Sequence, residues 1–279
     1  LGRKIVAPAR PTAPTPQEMM AVKNNPILQR AVHAIRIGLR PDGVREWNYG
    51  TGFVDAQGNK GRMSDREKLA AAQWACELEL WDRCINTSDR SAQADVQHRY
   101  PTPYKTEVLE RTKEIKLDPA YVYGLIRQES RFIIDARSNV GASGLMQIMP
   151  VTAKWTAKKL GLKNFQIDQL NQRDTNIAIG TGYLKLVLDN FQGSMAMAAA
   201  AYNAGPSRPR KWRNGPLLEG AIWAECVPFS ETRDYVKKVL SNTTMYAAVL
   251  TGEPQSLKAR LGKIGPRDND APPEDAELP

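Results

Sequence analysis

Two histidines and three cysteines are all the imidazole and thiolate ligands that 279 residues offer to a metal. His33 and His98 have no zinc-ligand spacing, and no Cys-x-x-Cys occurs. A Gly-rich phosphate loop is also missing. No metal or other cofactor is therefore expected. No apolar run reaches the length a membrane span needs, so no integral membrane segment is expected. The opening stretch LGRKIVAPARPTAPTPQ lacks a long apolar h-region. It reads as a Pro-rich flexible linker over residues 1–20, not a signal peptide. Export would then require a segment outside this sequence.

The cysteines make a poor disulfide framework. Cys76 and Cys84 lie eight apart in what reads as one continuous helix, which would separate their Cα atoms by about 12 Å, too far to bridge. At most one of them is then available to Cys226. The final DNDAPPEDAELP carries five acids and no Lys or Arg. Taking its five acids from a net charge of +9 leaves +14 on residues 1–267. A basic body suits a polyanionic or anionic-surface partner. Nucleic acid is a weak reading, since no recognised binding motif or aromatic–basic stripe accompanies the charge, and none is expected as a partner. The acidic tail, 253–279, reads as disordered.

Period-two alternation is scarce too, so the chain is mainly α with at most a small hairpin. Residues 21–103 read as helices paired in the manner of an α-solenoid. Asn25-Pro26 starts one that runs to about Leu39. After the Gly-rich loop DAQGNKG, Ser64 and Glu67 form a capping box for a helix reaching Cys84. Tyr100-Pro101-Thr102-Pro103 marks a boundary, and 104–252 reads as the main domain. There Pro150 opens a helix closed by Gly161, another runs from about Asp174 to Phe191, Ser194 caps an Ala-rich helix, and Ser230 is placed to cap the last long one.

Within the main domain, DPAYVYGLIRQES starts with Asp118 as cap and Pro119 at the first helical position. At about 100° per residue, Glu129 lies about 40° from Leu125 and 20° from Val122, inside the apolar stripe. Burial raises a carboxyl above its usual value of about 4.3, and the negative pole of the helix end adds to the rise. A carboxyl still protonated near neutral pH can act as a general acid. A structural glutamate, bonded in the core or reaching solvent at the helix end, fits the same residues.

Four patches, RQES (127–130), VGASGLMQIMP (140–150), AAYNAGP (200–206) and VPFSETRDYV (227–236), together resemble the catalytic domain of the soluble lytic transglycosylases, periplasmic enzymes that cleave peptidoglycan. Residues 104–250 carry the resemblance well. Residues 20–103 resemble more loosely the helical linker before that domain, and the large helical ring of full-length relatives is mostly missing. The resemblance implies a goose-lysozyme-like, mainly helical fold. It implies peptidoglycan glycan strands as the partner, with cleavage of the β-1,4 bond between N-acetylmuramic acid and N-acetylglucosamine. Glu129 falls on the family's acid/base. By the same resemblance Ser143, Met146, Gln147 and Met149 contact the sugar, Tyr202 brings its hydroxyl near Glu129, and Glu231 contacts glycan or stem peptide. Asn203 is grouped with these, though it suits holding the turn better than the ligand. Trp155, Trp212 and Trp223 are read as core packing.

Two departures from the family pattern stand out. Ile133-Ile134 replaces an Asn-Pro, and Ser207-Arg208-Pro209-Arg210 follows AYNAGP where a glycine and an apolar residue are usual. Either can shift the preferred substrate length. Two other readings share these residues: a hydrolytic muramidase, for which Asp135 or Asp174 would supply a second carboxylate, and a non-catalytic wall-binding module.

Overall fold

The structure, a computed structural model, describes residues 2–52, 63–268 and 273–279. The loop DAQGNKG lies outside them. The chain divides into two compact units, one of residues 8–101 and the other of 1–7 with 102–279.

In the 8–101 unit, helices α1 (Pro16–Lys23), α2 (Pro26–Arg36), α3 (Arg40–Thr51), α4 (Asp65–Glu77), α5 (Trp81–Ser88) and the short α6 (Val96–Arg99) follow in order. Part of the stretch expected to be a flexible linker is α1. Thr15 caps it and Glu18 closes the box, so local hydrogen bonding wins over the proline content. Asn25 caps α2 as expected, while Ser64 and Glu67 box α4. The expected single helix to Cys84 is two. Glu79 adopts a left-handed φ of 58°, the chain turns back, and α4 packs on α5. That reversal brings the Cα atoms of Cys76 and Cys84 to 5.2 Å, and the two are disulfide-bonded. The expectation that they cannot bridge assumed an unbroken helix, and the turn removes that assumption. Cys226 is free and exposed. Trp47 is fully buried here and donates from Nε1 to Thr87 at 2.9 Å.

The second unit begins with α7 (Lys105–Glu114) and α8 (Pro119–Glu129). Then come α9 (Pro150–Lys159), a 3₁₀ turn (Ile167–Asn171), α10 (Arg173–Asn190), α11 (Met195–Ala204) and α12 (Ser207–Trp212). A two-residue strand β1 (Leu218–Glu219) leads into α13 (Gly220–Glu225), α14 (Ser230–Thr251) and α15 (Leu257–Leu261). The final strand β2 (Lys263–Ile264) pairs antiparallel with β1, Leu218 opposite Ile264.

Asp118 caps α8 by accepting from the Ala120 N–H at 2.8 Å. Residues 120–126 are all buried, so α8 is a central helix rather than one with a single apolar stripe. Burying each of Val122, Leu125 and Ile126 stabilises the fold by about 1.5–3 kcal/mol. Its main neighbour is α14. Gly124 makes that approach possible: a Cβ there would lie 2.7 Å from the Thr243 backbone nitrogen. Ser194 caps α11. Ser230, expected as a cap, is instead the first residue of α14; the cap position is Phe229 and makes no side-chain capping bond.

The acidic end differs from the expected disorder. Ile5 bridges Gln255, Ser256 caps α15, and residues 273–279 lie on the same unit with Leu278 buried. Ion pairs hold this segment: Lys159 to Asp275 at 3.0 Å and Arg210 to Glu274 at 2.7 Å. Opposite charges on the body outweigh a composition that, taken alone, disfavours folding.

Candidate active site

Glu129 is the last residue of α8, half-buried where the helix carbonyls end. Its Oε1 accepts a hydrogen bond of 2.5 Å from the hydroxyl of Tyr235 on α14. Burial pushes the carboxyl up to about 7, the negative charge of Glu231 adds to the rise, and the Tyr235 bond opposes it. Glu231 stands four residues before Tyr235, so one face of α14 presents both to Glu129. Near neutral pH the group is then divided between acid and carboxylate.

The residue after α8 secures its end. Ser130 donates to the Leu145 carbonyl at 2.8 Å and accepts from the Phe132 N–H at 3.1 Å. Arg131 and Phe132 both take left-handed φ, 48° and 66°, immediately beyond Glu129. Two such residues in succession are strained, and the surrounding bonds hold them.

The 143–149 loop is organised from behind by Asn176 of α10, which is buried. Asn176 accepts from the Met146 N–H at 2.8 Å and donates to the carbonyls of Ser143 at 3.0 Å and Leu170 at 2.8 Å. Gly144, at φ +79°, lies so close that a Cβ would sit 2.0 Å from the Asn176 amide nitrogen. Ser143 and Ile148 exchange backbone hydrogen bonds of 3.1 Å across the loop.

The residues singled out by sequence occupy distinct places around this frame. Tyr202 donates to the Met146 carbonyl at 2.8 Å, and its ring packs on Tyr183 with centroids 5.4 Å apart. Burial and the nearby Glu129 charge hold its hydroxyl far above the ordinary tyrosine value. Tyr202 thus feels Glu129 without bonding it. Met146 is fully buried, whereas Met149 is exposed and Ser143 half-exposed. Gln147, at φ 45°, turns its amide inward and donates to the carbonyls of Ala136 at 3.0 Å and Gly144 at 2.8 Å. Asn203 accepts from Thr232 at 2.7 Å, tying α11 to the first turn of α14. Glu231 is exposed at the rim. Asp174 is engaged with Arg173 at 2.7 Å, and the carboxylate that acts on Glu129 is Glu231.

Sequence reasoning missed Tyr235 and Asn176. Tyr235 stood in plain view within SETRDYV, four residues past Glu231. That helical spacing was the available signal. Nothing local marked Asn176.

Among the described residues no group of three or more His, Cys, Asp or Glu is placed to hold a metal, and no helix is long and apolar enough to cross a membrane. An apolar cavity of about 530 Å³, lined by Ile222, Ala224, Lys237, Leu240 and Leu261 among others, includes none of Glu129, Tyr235, Tyr202 or the 143–149 loop.

One raised carboxyl at a helix end is met by a tyrosine from a second helix beside a clamped loop, all within a mainly helical unit. Residues 108–216 match the family described as Transglycosylase SLT domain, and residues 226–255 match the Soluble lytic transglycosylase helical domain. Residues 108–216 are thereby identified as an SLT transglycosylase domain. The soluble lytic murein transglycosylase of Salmonella typhimurium is 36% identical over 187 residues, which is 66% of this chain and 29% of that protein. The Escherichia coli K12 protein of the same name is 34% identical over 200 residues, 70% of this chain and 31% of that one. The chain therefore spans less than a third of either relative's length. Among solved structures, an inactive glutamate-to-glutamine mutant of lytic transglycosylase Slt from Pseudomonas aeruginosa superposes with a TM-score of 0.76 at 34% identity, over 89% of this chain and 39% of that one. A 70 kDa soluble lytic transglycosylase in complex with bulgecin A gives 0.73 at 28% identity, over 88% of this chain and 39% of that one.

Proposed function

We propose that this chain is a lytic murein transglycosylase that cleaves the β-1,4 bond between N-acetylmuramic acid and N-acetylglucosamine, with Glu129 as its single acid and base. The observation that carries this is the placement of Glu129 at the end of α8 with Tyr235 bonded to Oε1, where burial pushes the carboxyl up to about 7. A group of that strength releases and retakes a proton near neutral pH at little energetic cost. As acid, Glu129 protonates the glycosidic oxygen while the bond to C1 breaks. The C6 hydroxyl of the same muramic acid then attacks C1 and gives its proton to the carboxylate. Glu129 returns to its starting form, the product is a 1,6-anhydro sugar, and no water is consumed. Because the substrate supplies the nucleophile, one carboxylate suffices where ordinary glycosidases use two.

The other residues divide the remaining work. Tyr235 fixes Oε1 and so leaves the second carboxyl oxygen for the glycosidic oxygen. Ser143 and Met149, accessible on the clamped loop, meet the sugar, with Glu231 at the rim. Met146 contributes its backbone. Gln147 and Asn203 hold the loop and helix that shape the groove. An inactive glutamate-to-glutamine form of the Pseudomonas relative supports an essential glutamate, and peptidoglycan as substrate agrees with the murein transglycosylase names of the relatives. A periplasmic location and the domain limits 21–103 and 104–252 belong to the same proposal.

The test is product analysis. Purified sacculi digested by the chain should release muropeptides ending in 1,6-anhydromuramic acid, read by mass spectrometry. Products carrying an added water would identify a hydrolytic muramidase instead, and intact sacculi would leave only a binding module.

A further inference from the structure

The segment 273–279 gathers on three cations contributed by two separate parts of the catalytic unit. Lys159, at the end of α9, pairs with Asp275 at 3.0 Å and with Glu277 at 3.8 Å. Arg210 of α12 pairs with Glu274 at 2.7 Å and donates to the Asp275 carbonyl at 2.7 Å. Arg213, just after α12, reaches Glu274 at 3.5 Å. Two neutral bonds complete the seat: the Asp275 N–H donates to Asn190 at 2.8 Å, and Tyr183 donates to the Pro279 carbonyl at 2.8 Å. Tyr183 also packs on Tyr202, so the segment ends one aromatic layer from the candidate active site.

This seat is held by charge more than by burial. Leu278 is the large apolar side chain that the segment buries, and neither helix nor strand forms within it. The Lys159 pairs join partly exposed groups and are individually weak, whereas Glu274 meets Arg210 and the buried Arg213 in a less exposed setting. Arg213 also donates to the Gly265 carbonyl at 3.0 Å and to Gln192 at 3.2 Å, so it keeps partners when the segment leaves. Among the described residues, the ion-pair and hydrogen-bond partners of the Arg210 side chain are, by contrast, in the segment. A tethered ligand presents a local concentration of about millimolar, which holds weak contacts together yet yields to a polymer that offers many carboxylates at once.

We propose that Lys159, Arg210 and Arg213 form a second anion-binding site, for carboxylates of the wall polymer, and that Glu274, Asp275 and Glu277 occupy it in cis as a displaceable strap. This rests on the cell-wall reading above. The site holds the polymer beside the cleavage groove, and the strap sets how much polymer is needed to open it.

The experiment uses the full chain carrying Glu129→Gln, so that the polymer stays intact. Into it go Glu274→Gln, Asp275→Asn and Glu277→Gln, which keep Leu278, Pro279 and the backbone bonds. Binding is measured to purified sacculi and to poly-L-glutamate as a defined carboxylate polymer. The triple substitution should tighten binding to both by about three- to tenfold at low salt, from the freed pairs. The gain should vanish at high ionic strength and when Lys159→Ala and Arg210→Ala are added. Unchanged or weaker binding with a lower melting temperature would make the segment a structural brace and overturn the strap. A gain on poly-L-glutamate alone would overturn the wall polymer as its ligand. Cleavage by the wild-type chain is scored separately: a chain that cuts sacculi but shows no gain loses the strap and keeps the function.

Discussion

The hydroxyl of Tyr235 and Oε1 of Glu129, 106 residues apart in sequence, meet at 2.5 Å between α14 and α8. The bond favours the charged carboxylate, while burial and Glu231 favour the neutral acid. The acid strength of Glu129 is therefore a balance that single substitutions can move in either direction.

Replacing Tyr235 with Phe removes the one contribution that lowers the carboxyl. The alkaline limb of the pH–rate profile should shift upward, since the acid stays protonated to higher pH. Turnover should fall about tenfold from lost positioning. An unchanged alkaline limb would show that the bond does not tune Glu129.

Glu231→Gln should do the reverse to the profile. Removing a like charge eases ionisation, so the alkaline limb moves down. A KM increase without that shift would assign Glu231 to substrate contact alone.

Glu129→Gln should reduce sacculus cleavage by about 10²–10⁴-fold. It should also stabilise the fold, but only in part of the pH range. A carboxyl raised from 4.5 to about 7 burdens the folded state once it is ionised. That burden is absent below the unfolded value, grows as pH rises between the two, and is complete above about 7. It amounts to about 3 kcal/mol as an upper figure. The variant should melt higher than wild type at pH 8 and at the same temperature at pH 4. Equal melting at both pH values would mean Glu129 is not raised.

Gly144→Ala forces a methyl group into Asn176 at a backbone angle that L-residues avoid. It should destabilise the catalytic unit by about 3 kcal/mol or more and abolish cleavage through loss of the loop. Thermal melting alongside the activity assay separates this from a purely chemical effect.

Under non-reducing conditions a denatured sample should titrate one thiol, Cys226. Reduction should free three and lower the stability of the 8–101 unit by about 2–3 kcal/mol, as expected for a short loop. Three thiols before reduction would remove the Cys76–Cys84 bond.

What the sequence by itself determined is local. Asp118 and Pro119 start α8, Ser194 starts α11, and Ser64 with Glu67 starts α4, because a capping side chain and its N–H lie within three residues. The same reach put Glu129 at the end of an apolar helix. Where a local rule had competition, it misled. The helix pattern through Cys84 gave no sign of the turn at Glu79, and composition made the acidic end look unfolded. Tertiary structure alone decided the partners: Tyr235 for Glu129, Asn176 for the 143–149 loop, Lys159 and Arg210 for the final carboxylates. Each is a contact between distant segments, chosen by how whole helices pack, and a carboxyl's proton affinity follows from what packing places around it.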